Sequence, residues 1–476
     1  MTLISRRQFV QQAALTAAAF YGSSKAHAQA AGQLDAAVIR KLASEITGRV
    51  IASTAPDYDA ARLVFNRAFD QHPAVVVRCA GESDVARALE FAQRWNLPLA
   101  VRGGGHSRAG FGVCEDGLVI DLSGMKRVEV DRRKSVVHAA AGALVGDLDR
   151  ATEPFELATT SGGCPTVGLA GFTLGGGEGL LMSVHGAACD NLVSARVVTV
   201  DGRTLDASQQ SNPDLFWAIR GGGGNFGVVT AFEYHLHSIG KVFAGALTYP
   251  AAGRIPELLQ SFANFTEGAP DQMVPLGEIL PAVGGPIFIN HLCYLGDPGA
   301  ANDLLKPLRA LKPKNDDLRV MSYFEAQAGG FTPPPAAHFQ TDLILPQLNG
   351  LAVAAIAAAM SDAPQLSRVL IVPFYGAITR VAVGDMAFAL RQPGYEIDMQ
   401  CRWSNPSEKP TAVKWVQGLR DSLQPFARGL YINQTTETSA DLVKAAYGAN
   451  YARLVEIKRK YDPDNVLRLN QNIKPD

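Results

Sequence analysis

The chain has 476 residues, 47% of them apolar, with 44 Lys plus Arg against 45 Asp plus Glu and a formal net charge of -1. At about 150 residues per domain this is enough for two or three domains with sizeable cores, which excludes an intrinsically disordered chain. The balanced charge leaves no footprint for nucleic acid or for an anionic membrane surface.

At the start, Ser5-Arg6-Arg7-Gln8-Phe9-Val10 puts paired arginines ahead of an alanine-rich apolar run, Ala13 to Phe20. Small residues follow at Ala26-His27-Ala28 and Ala28-Gln29-Ala30. Residues 1–30 therefore resemble a twin-arginine export signal, with an ordinary Sec signal as the alternative. Either predicts a periplasmic or secreted product; the twin-arginine route carries proteins already folded around a cofactor. No later apolar run approaches the roughly 20 residues needed to cross a bilayer, so no stable membrane insertion is expected. Six cysteines, at 79, 114, 164, 189, 293 and 401, are scattered without a C-x-x-C or other compact metal-ligand spacing, and their spacing selects no disulfide pairing. No metal site is expected, and oligomeric state is not legible.

From Ala74 the pattern resolves into elements. Ala74 to Arg78 is a β-branched run, Ser83 to Trp95 has helical spacing with Ser83 as the N-cap, and Leu97 to Arg102 is a second buried-type strand. Together they predict a βαβ unit that ends in Gly103-Gly104-Gly105-His106-Ser107. Leu118 to Leu122, Val128 to Val130 and Val136 to Ala140 read as further strands. A second glycine cluster runs from Ser161-Gly162-Gly163-Cys164-Pro165 through Gly168 and Gly171 to Gly175-Gly176-Gly177-Glu178-Gly179. A third, Gly221 to Gly224 and Gly227, lies between a helix at Asp214 to Ile219 and a strand at Val228 to Phe232. Beyond residue 240 the texture changes to mixed helices and strands with Pro-rich joints such as Pro333-Pro334-Pro335, which suggests a second domain. Near the end, Tyr451, Leu454, Ile457 and Tyr461 form a helical stripe stopped by Asp462-Pro463.

Glycine lets backbone N–H groups approach a phosphate and permits positive φ in tight turns. Gly222, Gly224 and Gly227 have the G-x-G-x-x-G spacing, but their order is helix, glycines, strand. A nicotinamide-type Rossmann site requires the reverse. Gly105-His106-Ser107-Arg108-Ala109 nearly matches a serine-hydrolase elbow, yet no helix follows Ser107, as that motif demands. Ser107 as a nucleophile is retained only as an alternative.

Arg102-Gly103-Gly104-Gly105-His106-Ser107, the strand bearing Asp121, and Cys164-Pro165-Thr166-Val167-Gly168 resemble the berberine bridge enzyme-like family of FAD-linked oxidases, within the vanillyl-alcohol oxidase superfamily. So do Gly175-Gly176-Gly177, Cys189-Asp190-Asn191, Phe216-Trp217, Gly224-Asn225-Phe226-Gly227-Val228 and the terminal stretch from Tyr431-Ile432-Asn433 to Asn470-Gln471. The resemblance spans nearly all of the chain after residue 30 and implies an α+β fold. Its parts would be a two-part FAD-binding domain of the p-cresol methylhydroxylase type (31–240), an α/β substrate domain with an antiparallel sheet (241–430) and a terminal module completing the FAD domain (431–476). It implies FAD held covalently, with His106 bonded to the 8α carbon and Cys164 to carbon 6. Arg102, Gly103, Gly104, Gly105, Ser107, Gly163, Thr166, Val167, Gly168 and Gly171 would line the cofactor, as would Gly175, Gly176, Gly177, Asp190, Gly227, Val228 and Asn470. A small residue at Val167 implies access for dioxygen, hence an oxidase releasing hydrogen peroxide.

The chain departs from the family at Phe172, Glu178, Gln434 and around Arg368, which leaves the general base open. Tyr431, activated by a cation such as Arg368, is the first choice and Glu178 the second. Glu396, Asp398, Gln400 and Arg402 share one face of a strand, which would line a substrate cavity or face solvent. His235 and His237 also share a face, and a packing role is preferred to a metal site. The expected reaction is hydride transfer from a small alcohol or carbohydrate CH–OH to flavin. A flavin dehydrogenase, an oxidative cyclase or amine oxidase, a serine hydrolase and a non-catalytic flavin-binding protein remain as alternatives.

Overall fold

The computed structural model describes residues 34–329 and 334–475; the segment read as an export signal lies outside the described residues. Three large β-sheets and a two-stranded pairing of Leu157–Ala158 with His237–Ser238 organise the described residues. The first has four strands in the order Arg49–Ala52, Val75–Arg78, Leu118–Asp121, Leu99–Arg102. Val75, Val76 and Val77 are fully buried, as expected for a β-branched run covered on both faces. Val75–Arg78 and Leu99–Arg102 are not direct neighbours as a simple βαβ reading implies, because Leu118–Asp121 lies between them, parallel to both. The crossover helix is Glu82–Arg94, with Gly81 rather than Ser83 at its N-cap. Asp84 explains the earlier start: its carboxylate accepts the N–H groups of Thr47, Gly48 and Ala80 at 2.8–2.9 Å. The next strand begins only at Leu99, since Pro98 has no N–H to donate. At the sheet's end the Asp121 carboxylate accepts from Arg78 and Arg102, each at 3.1 Å, and so holds the turn that carries His106.

The second sheet is antiparallel, in the order Val128–Asp131, Val136–Ala140, Val228–His235, Leu192–Val198, Thr204–Ser208. The helix expected before the third glycine cluster spans Pro213–Ile219. His237 is engaged in packing. Its ring stacks on His185 at 3.6 Å and its Nε2 lies 2.6 Å from Asn191 Oδ1.

The third sheet is antiparallel too, built from residues 241–403. Its order is Asn315–Asp316, Lys241–Pro250, Ile287–Tyr294, Met273–Leu280, Ser367–Phe374, Gly394–Trp403, Ala337–Leu345, with Arg319–Ser322 paired to Lys241–Pro250. One face buries Leu247, Ile279, Ile371, Ile397 and Met399 against the helices Ile255–Glu267, Gly350–Ser361 and Lys409–Leu423. Because side chains alternate along a strand, Glu396, Asp398 and Gln400 project from the opposite face. They are 0%, 0% and 7% exposed. That face is turned inward on the rest of the molecule, and the solvated alternative is overturned.

The chain after residue 430 returns to the first part. Tyr431, Tyr447, Leu454, Ile457 and Ile473 are buried in the same core as Phe216 and Phe226. Lys458, fully buried, fastens this return: its Nζ donates to Asp462 Oδ2 at 2.6 Å and to the carbonyls of Asn225 and Leu467 at 3.0 Å. Removing one member of a buried ion pair strands the other charge, at about 3–5 kcal/mol. Lys458→Met is therefore expected to lower the urea midpoint by a corresponding amount, and an unchanged midpoint would contradict this role.

Candidate active site

A cavity of about 1090 Å³ lies where the inward face of the third sheet meets the glycine-rich turns. That is at the upper end of the roughly 300–1,000 Å³ usual for small-molecule sites, large enough for a dinucleotide together with a small substrate. Most of the residues marked in the sequence converge here. Arg102, Gly103, Gly104, Gly105, His106 and Ser107 line it at the end of strand Leu99–Arg102. Gly163, Cys164, Val167, Gly168, Gly171, Gly175 and Glu178 line it from the second glycine cluster, and Gly227, Val228, Asn470, Arg368 and Tyr431 complete that set.

Four do not belong to the wall as read from the sequence. Thr166 is exposed to solvent, its hydroxyl 3.4 Å from Cys164 Sγ. Gly176 and Gly177 adopt positive φ of 122° and 87°, and a Cβ on either would strike Phe388 or Ala188, so they serve the turn's packing. Asp190 is committed elsewhere: its carboxylate accepts from Arg391 at 2.6 and 2.8 Å and from the Ala187 N–H at 2.8 Å. A buried carboxylate already neutralised in this way has nothing to offer a ribose.

The cavity wall fits FAD. An added Cβ on Gly171 or Gly224 would meet nothing within 4 Å, so both leave cavity space that a side chain would fill. On Gly104 it would fall 2.3 Å from Gly168 N, which shows how closely the two glycine turns are joined. Arg102 Nη1, Asn470 Oδ1 and Gln471 Oε1 are buried without a partner, in residues that all line the cavity. Buried polar atoms ordinarily find a hydrogen bond, and a dinucleotide supplies both donors and acceptors.

His106 stacks on Phe65 with 4.1 Å between ring centroids. Burial and, secondarily, the Arg108 guanidinium push its pKa down to about 4, so at neutral pH it is an uncharged imidazole with a free lone pair. Cys164 is half-buried, whereas the other five cysteines are buried and none of the six forms a disulfide. Burial drives the thiol pKa up at each of those five, which makes them poor nucleophiles.

The proton-handling groups meet at the other end. Tyr431 hydroxyl accepts from Gly177 N–H at 2.9 Å and from Asn433 Nδ2 at 3.0 Å. Its pKa is pushed well up, by burial first and by the charge of Glu178 next. The expected activating cation is absent: Arg368 donates to Asp398 Oδ2 at 2.8 Å and lies 3.9 Å from Glu278. Register explains this, since Arg368 pairs across the sheet with Gln400, beside Asp398. The Tyr431 hydroxyl therefore keeps its proton at neutral pH.

Glu178 is half-buried with its Oε1 buried, and its carboxyl interacts with that of the fully buried Glu396. No described donor reaches Glu178 Oε1 or either oxygen of Glu396, and a proton shared between the two carboxyls would satisfy part of this need. Burial first, then the like charge of Glu396, drives Glu178 up; burial drives Glu396 up to about 7. Sequence reasoning put Glu396 on one strand face and Glu178 in the second glycine cluster, with no local pattern to join the two.

A family model described as an FAD binding domain matches residues 73–208, and one described as berberine and berberine-like matches residues 430–474. The chain is 32% identical over 443 residues to the uncharacterised FAD-linked oxidoreductase YgaK of Bacillus subtilis, covering 91% of this chain and 98% of that protein. It is 30% identical over 456 residues to (R)-6-hydroxynicotine oxidase of Paenarthrobacter nicotinovorans, covering 90% and 97%. The crystal structure of 6-hydroxy-D-nicotine oxidase from Arthrobacter nicotinovorans superposes with a TM-score of 0.84 at 28% identity, over 90% of this chain and 98% of that one. Xylooligosaccharide oxidase from Myceliophthora thermophila, at 23% identity and TM-score 0.84 over 92% and 99% of the two chains, shares the fold. With the α+β fold and the glycine-walled cavity already described, these likenesses make the chain an FAD-dependent oxidoreductase of the berberine bridge enzyme-like family.

Proposed function

We propose that the chain is an exported oxidase that converts a small alcohol or carbohydrate CH–OH to the carbonyl, with dioxygen reduced to hydrogen peroxide. We assign FAD binding to residues 31–240 and 431–476 and substrate binding to 241–430, with export through the twin-arginine-type segment 1–30. Bound FAD supplies the hydride acceptor and, with dioxygen, the route by which two electrons and two protons leave as peroxide. His106 and Cys164 are the attachment points, the first as a neutral imidazole held flat by Phe65, the second as the half-buried thiol on the cavity wall.

Glu178 carries the proposal. A half-buried carboxyl lining the same cavity as Tyr431 takes the substrate's O–H proton as hydride departs from the carbon that bears that oxygen. Glu396 shares that proton. Tyr431, its hydroxyl oxygen fixed by Gly177 and Asn433, keeps its own hydrogen for the substrate oxygen. Val167, small and on the cavity wall, leaves room for dioxygen. Oxidation of an amine CH–NH is the second reading, favoured by the relative named (R)-6-hydroxynicotine oxidase. The test is a panel of alcohols, sugars and amines scored for oxygen consumed and peroxide formed. One peroxide per carbonyl is expected with an alcohol. Undiminished anaerobic turnover with a quinone would replace the oxidase reading with a dehydrogenase.

A further inference from the structure

Three arginines, Arg108, Arg368 and Arg402, act on one region beside the cavity, and of these Arg368 alone is ion-paired among the described residues. Arg368 and Arg108 line it, and Arg402 stands on the neighbouring strand, paired in register with His338. Arg368 is served by Asp398 at 2.8 Å and approached by Glu278 at 3.9 Å, although its buried Nε has no partner. Glu278 is in turn shared with His291, 2.9 Å away. Arg402 donates to the Pro334 carbonyl. Arg108 has only a neutral acceptor, Gln434 Oε1 at 3.4 Å, and the edge of a contact with the Phe65 ring at 6.0 Å. Among the described residues neither Arg108 nor Arg402 forms an ion pair.

The surroundings register these charges. The three arginines are among the groups that, after burial, push His338 down to about 3. Burial lowers Arg108 itself, opposed by the charge of Asp398 and aided by those of Arg368 and Arg402. A guanidinium's planar fork matches a carboxylate in two parallel hydrogen bonds. The glycine turns that would receive the FAD pyrophosphate lie at the strand ends, whereas Arg108 faces Arg368 and Asp398 of the third sheet.

We propose that Arg108, backed by Arg368 and Arg402, is an anion subsite and that the substrate of this oxidase carries a carboxylate, as a hydroxy acid or a sugar acid does. This rests on the reading of the cavity as the oxidase site. Arg108 fixes the carboxylate while the carbinol end reaches Glu178 and Tyr431. Arg108, Glu178 and Tyr431 line the same cavity.

The test titrates the flavin-loaded protein with benzoate, benzamide and, at equal ionic strength, chloride, following the flavin absorbance band. Benzoate is expected to give a saturable spectral change that benzamide and chloride do not. Arg108→Met should weaken benzoate about 10- to 100-fold, the loss of charge-assisted hydrogen bonds, while Arg108→Lys retains part of it. Equal responses to benzoate and benzamide, no saturable response to benzoate, or unaltered binding in Arg108→Met each overturn the subsite. Benzoate binding through Arg108 in a protein that makes no peroxide from any alcohol or hydroxy acid would instead sink the oxidase reading. Peroxide from neutral alcohols with no competition by benzoate would sink the subsite alone.

Discussion

Glu178→Gln is expected to lower kcat by about 10²- to 10⁴-fold, the usual weight of a positioned general base, with the flavin still bound and still reducible by dithionite. Gln is close to isosteric and keeps a partner for Glu396, so the loss reads proton acceptance rather than collapse of the turn. The pH dependence follows from the pair. When both carboxyls are protonated, Glu178 has no room for the substrate's proton; once one proton leaves, it does. Burial raises both groups, so kcat/KM is expected to rise with pH along a limb that lies above the ordinary carboxylate range and then to level. Glu396→Gln removes the like charge and offers an amide donor to the remaining carboxylate. Both effects favour the ionised form of Glu178, and the acid limb is expected to move to lower pH. A pH profile unchanged in Glu396→Gln, or a Glu178→Gln enzyme at full rate, contradicts the pair's role. Tyr431→Phe is the useful contrast: it removes a donor and leaves the acid limb where it is.

The second large effect concerns attachment of the flavin. His106→Ala removes the imidazole, and Cys164→Ala the one thiol that is not buried. Each single variant is expected to keep its flavin through one remaining bond. The double variant should release it entirely on denaturation and turn over more slowly, because a ring no longer fixed spends less time aligned with the substrate. Mass spectrometry of the unfolded polypeptide reads this directly: one flavin adduct in the wild type and both single variants, none in the double. An adduct that survives the double substitution would place the bond at another residue.

How far the sequence foretold this site depended on how local each decision was. The turn Gly103-Gly104-Gly105-His106 could be placed because a strand of β-branched neighbours leads straight into it. The inward row Glu396, Asp398 and Gln400 was legible as one face, since strand alternation is intrinsic. Its burial was not, because that depends on which other element covers the sheet. Asp190 was misassigned for the same reason: its partner Arg391 is 201 residues away, and no local pattern announces it. The expected Arg368–Tyr431 couple failed on register, which sets Arg368 beside Asp398. Arg108 was passed over within a motif weighed for Ser107. Its signal was a charged residue two places after His106, between Ser107 and Ala109.

The central claim is that flavin is bonded to this polypeptide, and one measurement tests it most directly. Purified protein is precipitated with acid, and pellet and supernatant are compared for flavin absorbance. The account predicts yellow colour confined to the wild-type pellet and moved to the supernatant in the His106→Ala, Cys164→Ala double variant. Wild-type protein that surrenders all its flavin to the acid supernatant would contradict it.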